Sequence, residues 1–274
     1  MAICMLRGAF GRAFIKFSHS GVALRRQTTD AVISAETGDQ SKEKEHSENG
    51  ENNAYEENIR QKILQASLPF VHELGWSKNA ISAGAGSLGY PGVIHGMFPR
   101  GGADLVSYFY SSCNQQLASQ LKEAAEKTEP ESRKDPQVVV SDAVETRLRM
   151  ITPYLTTWPQ ALALMTLPPN VPTALANLLT MVDDICYYAG DRSVDFNWYS
   201  RRVALAAIYK MTELYLLQDQ SADHAATWQF LRSRIDEAAQ LHSVMMQSES
   251  GVQFAKEVAT ATFTTARNIL GLHR

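Results

Sequence analysis

The sequence predicts an all-α protein. After Ile59 the apolar residues of nearly every segment recur at intervals of three or four, which is the period of an amphipathic helix rather than of a strand. Glycine or proline stands at the ends of most of these segments, as expected where helices begin and stop. No uninterrupted apolar stretch reaches the length that a membrane-spanning helix requires.

The first 58 residues are expected to lie outside this helical part. Residues 1–29 contain five basic residues and neither Asp nor Glu, a composition typical of an amphipathic mitochondrial transit peptide. Residues 30–58 contain nine acidic residues and almost no large apolar ones, so we expect a disordered linker. From Ile59 onward, 19 basic residues face 20 acidic ones, which gives this part no overall attraction to nucleic acid.

A unit of three helices is predicted over residues 59–122. The face of the first helix, which ends at Gly75, is formed by Ile59, Ile63, Ala66, Phe70 and Leu74. Residues 81–98, ISAGAGSLGYPGVIHGMF, combine a small-residue helix, a glycine-containing turn and a short second helix, and a helix containing ADLVSYF follows. The charged segment Glu123–Pro136 is interpreted as a connection. This helix-turn-helix-like layout resembles the N-terminal helices of TetR-type regulators.

A larger helical bundle is predicted over residues 137–248. Its first helix has Arg147 and Arg149 on the outside and an apolar face formed by Val140, Val144, Leu148, Ile151 and Leu155. A short helix begins near Pro159 and ends at Pro168. Longer helices are expected at about Pro172–Tyr188, Asp195–Gln218 and Ala222–Met246, with a last one at about Gly251–Leu270.

A DNA-binding regulator is the alternative that the helix-turn-helix-like layout raises. A recognition helix reads base edges and phosphates with Arg, Lys, Asn or Gln. In the corresponding segment, GYPGVIHG, only His95 could make such a contact, and Pro91 weakens the segment as a rigid probe. The residues therefore argue against nucleic acid as a partner.

Motifs of known enzymes are not found in the sequence. Asp183-Asp184 starts like an Asp-rich diphosphate-binding motif, but Tyr187 stands where the next acid should be, so we interpret the pair as surface carboxylates. No glutamate precedes His95, His224 or His242 by three residues, as a helical di-iron site would require. P-loop, dinucleotide-binding and nucleophile-elbow motifs are missing as well. We expect no catalytic residue, metal site or cofactor, although an uncharacterised enzyme on the same fold stays a further alternative.

The segment DFNWYSRR, residues 195–202, collects rings and cations at the start of a predicted helix. Helical spacing places Asp195, Trp198, Tyr199 and Arg202 on one side. Because the positions that continue from Arg202 are less polar than a solvated face, Arg202 should lie between water and an apolar interior. A guanidinium there suits a phosphate, and the alternative is an ion pair with Asp or Glu. For the rings the alternative is a place in the core, where a tryptophan is found more often than at a contact surface.

The last predicted helix, residues 250–272, has little charge. Apolar residues recur along it at intervals of three or four, and threonine supplies much of the remaining polarity. It could lie in a membrane interface with Phe254, Phe263, Ile269 and Leu270 inserted, or dock on the bundle.

The blocks DAVETRLRM, MVDDI, YYAGDRSVDFNWYSRR and LAAIY closely resemble a mitochondrial family of accessory proteins of ubiquinone biosynthesis, that of the ninth coenzyme Q protein. The segment ILQASLPFVHELGW adds to this resemblance, which covers about residues 56–274. It implies a TetR-like helical bundle without DNA binding, a homodimer, and a non-catalytic role. It also implies a cavity for phospholipid or isoprenoid quinone intermediates and a C-terminal amphipathic helix at the matrix side of the inner membrane.

The resemblance also implies partners and site residues. The lipid would be presented to the di-iron demethoxyubiquinone hydroxylase, within the coenzyme Q biosynthetic complex. Partner-binding residues of the family fall on Asp183, Tyr188, Asp195, Trp198 and Tyr199, and the headgroup arginine falls on Arg202. The sequence departs from the vertebrate pattern at Ile185 and Cys186, where Met-Trp is usual, which puts the shape of the partner surface in doubt.

Overall fold

The computed structural model contains only helices among its regular elements over the residues that it describes, which confirms the all-α prediction. These residues are 54–90, 96–127, 135–190 and 196–246, with single positions between 253 and 267, and for 196–199 and 242–246 they include the backbone alone. All belong to the unit Asn52–Arg274. The α-helices are α1 (54–67), α2 (Val71–Leu74), α3 (Lys78–Ser87), α4 (Gly102–Lys127), α5 (Pro136–Arg149), α6 (Trp158–Thr166), α7 (Val171–Tyr188), α8 (Phe196–Leu216) and α9 (Ala225–Met246). Short 3₁₀ helices occupy Leu68–Phe70, Thr152–Tyr154 and Ala222–His224.

The helix ends follow local side-chain chemistry. Ser77 caps α3 by accepting a hydrogen bond from the Ala80 N–H at 3.3 Å. Asp135 caps α5 by accepting one from the Gln137 N–H at 2.9 Å. Gly75 ends α2 with a φ of 63°, and Gly190 follows α7 with a φ of 98°, conformations that glycine adopts without strain.

Two predicted boundaries are wrong, and an ion pair lies at each of the helix ends concerned. Helix α1 begins at residue 54 rather than 59, and Glu57 in its first turn pairs with Arg60 at 3.7 Å. Helix α4 continues to Lys127 into the predicted connection, where Lys127 pairs with Glu123 one turn earlier at 2.6 Å.

The helix predicted to reach Leu155 is also shorter than expected. Helix α5 ends at Arg149, and Pro153 then lies within the 3₁₀ helix Thr152–Tyr154. Proline has no N–H to continue the α-helical hydrogen bonds, which accounts for the break.

An aromatic cluster joins the first three helices to the bundle. Trp76, Phe109, Tyr154 and Trp158 pack with ring centroids 5.1–5.6 Å apart. The Gln160 side chain holds the Trp76 backbone from α6, accepting from its N–H at 2.9 Å and donating to its carbonyl at 3.3 Å. Helix α4 also packs on α5, α6 and α7, while α8 packs on α7 and α9. The N-terminal helices therefore share a core with the bundle.

The closest approach between the N-terminal helices occurs at Gly84. A Cβ atom at this position would lie 2.2 Å from the Ser67 Oγ and 2.6 Å from the Ser67 Cα. Ser67 is fully buried and donates its hydroxyl proton to the Ile63 carbonyl at 2.6 Å, so its side chain has no room to turn away. Two residues along α3, a Cβ at Gly86 would meet nothing within 4 Å.

We predict that Gly84→Ala destabilises the protein and that Gly86→Ala does not. The added methyl at Gly84 should lower the free energy of unfolding by about 2 kcal/mol, since α1 and α3 must separate to admit it. At Gly86 the same change should stabilise by about 0.5 kcal/mol, because alanine loses less backbone entropy in a helix. Urea unfolding measures both, and equal effects of the two variants would contradict this account of the crossing.

Candidate functional site

Arg202 belongs to α8, and its side chain, only 8% exposed, reaches α7. Its Nε donates to the Asp183 Oδ1 at 2.7 Å, and the Asp183 side chain is 54% exposed. Of the two roles that the sequence leaves open for Arg202, the ion pair is therefore present. The phosphate-binding role of Arg202 stays a prediction. The Asp183 carboxylate faces solvent, so a lipid phosphate could replace it or bind beside it.

The positions that continue from Arg202 along α8 lie inside the bundle. Tyr209 is fully buried, and Glu213 is 1% exposed. Arg202 thus stands at the outer end of a stripe that runs into the core, in agreement with the boundary position expected from spacing.

The end of α7 carries two predicted partner-binding residues. Asp183 is exposed, whereas Tyr188 is half-buried and meets Tyr187 edge to face at a centroid distance of 5.1 Å. Ile185 and Cys186, which depart from the family pattern, are both buried. Their side chains consequently add little to the surface at the end of α7. The difference from the vertebrate sequence pattern at these two positions therefore affects the core under that surface. The partner-binding role of Asp183 and Tyr188 stays a prediction.

Asp184 differs from its neighbour because it is half-buried. Loss of solvent, with a smaller contribution from the charge of Asp183, raises the pKa of the Asp184 carboxyl to about 6. The interpretation of Asp183-Asp184 as two surface carboxylates is therefore right for Asp183 and wrong for Asp184.

The remaining predicted site residues are only partly covered. Asp195 lies outside the described residues, and of Trp198 and Tyr199 the backbone alone is described, in the first turn of α8. Phe254, Phe263, Ile269 and Leu270 also lie outside them. Gln253, Glu257 and Arg267 are helical and exposed. The partner-binding and membrane-inserting roles thus stay predictions. No described helix is long and apolar enough to cross a membrane.

A buried polar cluster, formed by Tyr110, Asn114, Arg147, Tyr209 and Glu213, is the feature that the sequence analysis missed. Arg147 was expected on the outside of its helix, and this is wrong, because its side chain is fully buried. Its Nε donates to the Asn114 Oδ1 at 3.0 Å, and its Nη2 donates to the Tyr110 carbonyl at 3.4 Å. The guanidinium carbon also lies 4.5 Å from the centre of the Tyr110 ring.

Glu213 brings the opposite charge into the same region. Its Oε1 accepts from the Trp158 indole N–H at 3.1 Å, and its Oε2 accepts from the Lys210 Nζ at 2.8 Å. The Lys210 side chain is 36% exposed, so this lysine connects the buried carboxylate with solvent. Spacing could have revealed the cluster's arginine, since Arg147 follows Val144 by three positions and precedes Ile151 by four.

The Arg147 Nη1 has no hydrogen-bond partner among the described residues. The Tyr110 and Tyr209 hydroxyls are both buried, and a hydrogen bond between the two side chains acts on the pKa of Tyr110. Burial raises the pKa of both phenols, so each keeps its proton at neutral pH. A buried polar group without a partner lowers the free energy of unfolding by about 1–3 kcal/mol, so the unpaired Arg147 Nη1 destabilises the core.

The helix-turn-helix-like unit offers little positive charge in its described part. Residues 78–90 contain one basic residue, Lys78. Arg100 donates through Nε to the Asp104 Oδ1 at 2.9 Å, which neutralises its charge. The described part therefore agrees with the argument against DNA binding, and His95 and Pro91 lie outside it.

We predict opposite effects for the two neighbouring aspartates. Because the pKa of Asp184 is raised from 3.8 to about 6, its contribution to stability is complete below pH 3.8 and is lost as the pH rises through 6. Asp184→Asn should therefore leave stability unchanged near pH 4 and, after allowance for partial exposure, raise it by about 1 kcal/mol at pH 7.5. Denaturant unfolding across this range measures the effect.

Asp183→Asn is the matched control for that prediction. It should lower stability at pH 7.5 by about 1–2 kcal/mol, since the buried guanidinium of Arg202 loses its charged partner. Unfolding curves that shift in parallel with pH for wild type and Asp184→Asn would contradict the raised pKa.

Comparison with known proteins identifies the family. The family model described as "Ubiquinone biosynthesis protein COQ9, N-terminal domain" matches residues 56–86, and the model described as COQ9 matches residues 171–242. A structural similarity, at 16% identity and a TM-score of 0.49, is found to the TetR transcriptional regulator from Nitrosomonas europaea, covering 67% of this chain and 99% of that one.

Curated relatives give the same family over most of the chain. "Ubiquinone biosynthesis protein COQ9, mitochondrial" of Drosophila melanogaster is 54% identical over 78% of this chain and 65% of its own length. The proteins of that name from Xenopus tropicalis and Homo sapiens are 42% and 41% identical, each over 80% of this chain and 70% of the relative. The chain therefore belongs to the COQ9 family.

Proposed function

We propose that this chain is a non-catalytic lipid-binding protein of ubiquinone biosynthesis in mitochondria. It would hold phospholipid or isoprenoid quinone intermediates and present them to the di-iron demethoxyubiquinone hydroxylase. The names of its relatives, which refer to ubiquinone biosynthesis and to mitochondria, support this setting. The observation that carries the lipid-binding part is Arg202, a nearly buried guanidinium beside a half-exposed carboxylate at the edge of an apolar bundle.

The chemistry of this position suits a lipid headgroup. A guanidinium can hold a phosphate through two parallel hydrogen bonds, and the low exposure of Arg202 strengthens such bonds. Asp183 would then act as a competitor that keeps Arg202 satisfied when the lipid is absent. Helices α7 and α8 also carry buried apolar side chains within three positions of the Asp183–Arg202 pair, including Ile185 and Leu205.

The partners of this function are part of the proposal. The chain would form a homodimer and meet the matrix side of the inner membrane through its C-terminal helix. Exposed apolar side chains on α8 and α9, those of Met211, Leu214, Tyr215 and Leu241, would suit a second copy. The end of α7 at Asp183 and Tyr188 would join Asp195, Trp198 and Tyr199 in contacting the hydroxylase complex.

We predict that Arg202→Gln and Asp183→Asn have opposite effects on bound lipid. Both break the same ion pair, but only the first removes the guanidinium, whereas the second removes the carboxylate charge that competes with a phosphate. Phospholipid that co-purifies with the full chain, measured by mass spectrometry, should fall at least fivefold in Arg202→Gln and stay equal or rise in Asp183→Asn. Equal losses of lipid with equal losses of stability would reduce Arg202 to a structural role, and wild type without lipid would refute the proposal.

Trp198→Lys tests the proposed partner surface in the same preparations. Loss of hydroxylase co-purification is expected, with lipid content and melting temperature nearly unchanged, because an aromatic anchor of the proposed contact is replaced by a charge. A large fall in melting temperature would instead place Trp198 in the core.

A further inference from the structure

The longest uncharged stretch of the chain folds into a helical corner at the surface of the bundle. Residues 150–182 contain no Asp, Glu, Lys, Arg or His, although charged residues make up 20% of the sequence. Helix α6, the turn after it and most of α7 fall within this stretch, and residues 158–182 are named the α6–α7 corner. The turn between α8 and α9, in contrast, carries Asp219 and Asp223. Charge is thus missing from the α6–α7 corner although another helix turn of the same bundle has it.

Apolar side chains are exposed along this corner. Leu167, at its tip, is 48% exposed, and Pro168 and Pro169 beside it are exposed as well. Half-buried apolar side chains then follow at intervals of four along one side of α7, those of Val171, Leu175 and Leu179. The α6–α7 corner therefore presents an apolar surface that the other described residues leave uncovered.

The backbone at the tip satisfies its own hydrogen bonds. Over residues 167–172 every N–H has an acceptor or is missing, because three of these six residues are prolines. The Leu167 N–H donates to the Leu164 carbonyl at 3.4 Å, and the N–H groups of Asn170 and Val171 donate to the Leu167 carbonyl at 2.8 and 3.1 Å. The Asn170 side chain also donates to the Leu164 carbonyl at 2.8 Å. The tip consequently has no N–H that requires water.

The two properties together indicate what surrounds the α6–α7 corner. A protein partner is oriented by charged and hydrogen-bonding groups around an apolar centre. The hydrocarbon of a bilayer instead excludes charges and backbone groups without a partner. Even the exposed Thr166 returns its hydroxyl proton to the Ala163 carbonyl, at 2.9 Å. A lipid surface is therefore the occupant that these residues fit best.

A cation marks the border of the α6–α7 corner. Arg100, whose side chain is 38% exposed, donates from Nη1 to the Thr173 Oγ1 at 3.2 Å, in the first turn of α7. Charged surface thus resumes close behind the tip. It limits insertion to the boundary between headgroups and acyl chains, about 5–10 Å deep.

We infer that the α6–α7 corner inserts its tip into the surface of a lipid bilayer, as a second membrane contact of this chain. The proposed function assigns membrane contact to the C-terminal helix alone, so the inference goes beyond it. It rests on the proposed function only in placing the chain at a membrane.

A fluorescent reporter at the tip tests this contact in the full chain. Leu167→Cys and Leu88→Cys are made in a Cys4→Ser background and labelled with a nitrobenzoxadiazole dye, which brightens in apolar surroundings. Leu88 is the matched control, since it is a leucine at the end of α3 that is 45% exposed. Cys113 and Cys186 are buried, so the dye reacts at the introduced cysteine.

Phosphatidylcholine vesicles should brighten the dye at position 167 and shift its emission to shorter wavelength. Vesicles whose lipids carry a nitroxide near the top of the acyl chain should quench it, because insertion is shallow. The dye at position 88 should respond to neither kind of vesicle.

Charge substitutions measure how much the tip contributes to vesicle binding. Leu167→Glu should bind phosphatidylcholine vesicles about tenfold more weakly, because a carboxylate enters the interface in place of an apolar side chain. Leu167→Trp should bind at least as tightly as wild type, since tryptophan favours this interface. Leu88→Glu should bind as wild type does. All three should keep the wild-type melting temperature, because both leucines are exposed.

Phe263→Glu separates the inference from the proposed function, because Phe263 belongs to the predicted C-terminal helix. This change should weaken vesicle binding by itself, and its combination with Leu167→Glu should weaken it further. Vesicle binding that depends on Phe263 and not on Leu167 overturns the inference and leaves the proposed function standing. Binding that depends on Leu167 alone supports the inference and overturns the C-terminal contact.

Other occupants of the α6–α7 corner would give different results, each of which overturns the inference. A dye at position 167 that is already shielded without vesicles would show that the C-terminal helix covers the corner. Brightening that rises with protein concentration would indicate a second copy, and a response to the hydroxylase alone would indicate that partner. A wild-type chain that does not bind vesicles would overturn the inference as well.

Discussion

The charged guanidinium of Arg147 lies inside an apolar helical bundle, and the fold must supply hydrogen-bond acceptors for it. Helix α4 supplies two, the Asn114 side-chain oxygen and the Tyr110 carbonyl. The Asn114 amide in turn donates to the Asn177 carbonyl of α7 at 2.8 Å. Across the same region, Glu213 of α8 accepts from Trp158 of α6. These directional bonds tie α5 and α7 to α4, and α6 to α8, which an apolar core would not specify.

The polar residues of α8 divide into an outer and an inner position. Arg202 and Tyr209 are seven residues apart, which corresponds to about 10 Å along a helix. The outer position pairs a buried cation with a half-exposed carboxylate and suits an anionic headgroup. The inner position belongs to the buried polar cluster, where the negative charge of Glu213 lies near the positive charges of Arg147 and Lys210.

The sequence predicts those features that depend on residues within the same helical turn. Gly75, Pro159 and Gly190 act within their own turns, so the helix boundaries near them were predictable. The prediction for Arg147 failed, because residue type suggested solvent while the spacing from Val144 and Ile151 pointed inward. The choice of Asp183 as partner of Arg202 depends on how α7 and α8 pack, and the spacing within one helix carries no such information. The raised pKa of Asp184 depends on the same packing.

A crystal structure of the full chain with a short-chain phosphatidylcholine bound tests the central claim most directly. We predict that a phosphate oxygen lies about 2.7–3.2 Å from a guanidinium nitrogen of Arg202. The Asp183 carboxylate should be displaced or share the guanidinium with the phosphate. A headgroup seated elsewhere, with the Arg202–Asp183 ion pair unchanged, would contradict the account.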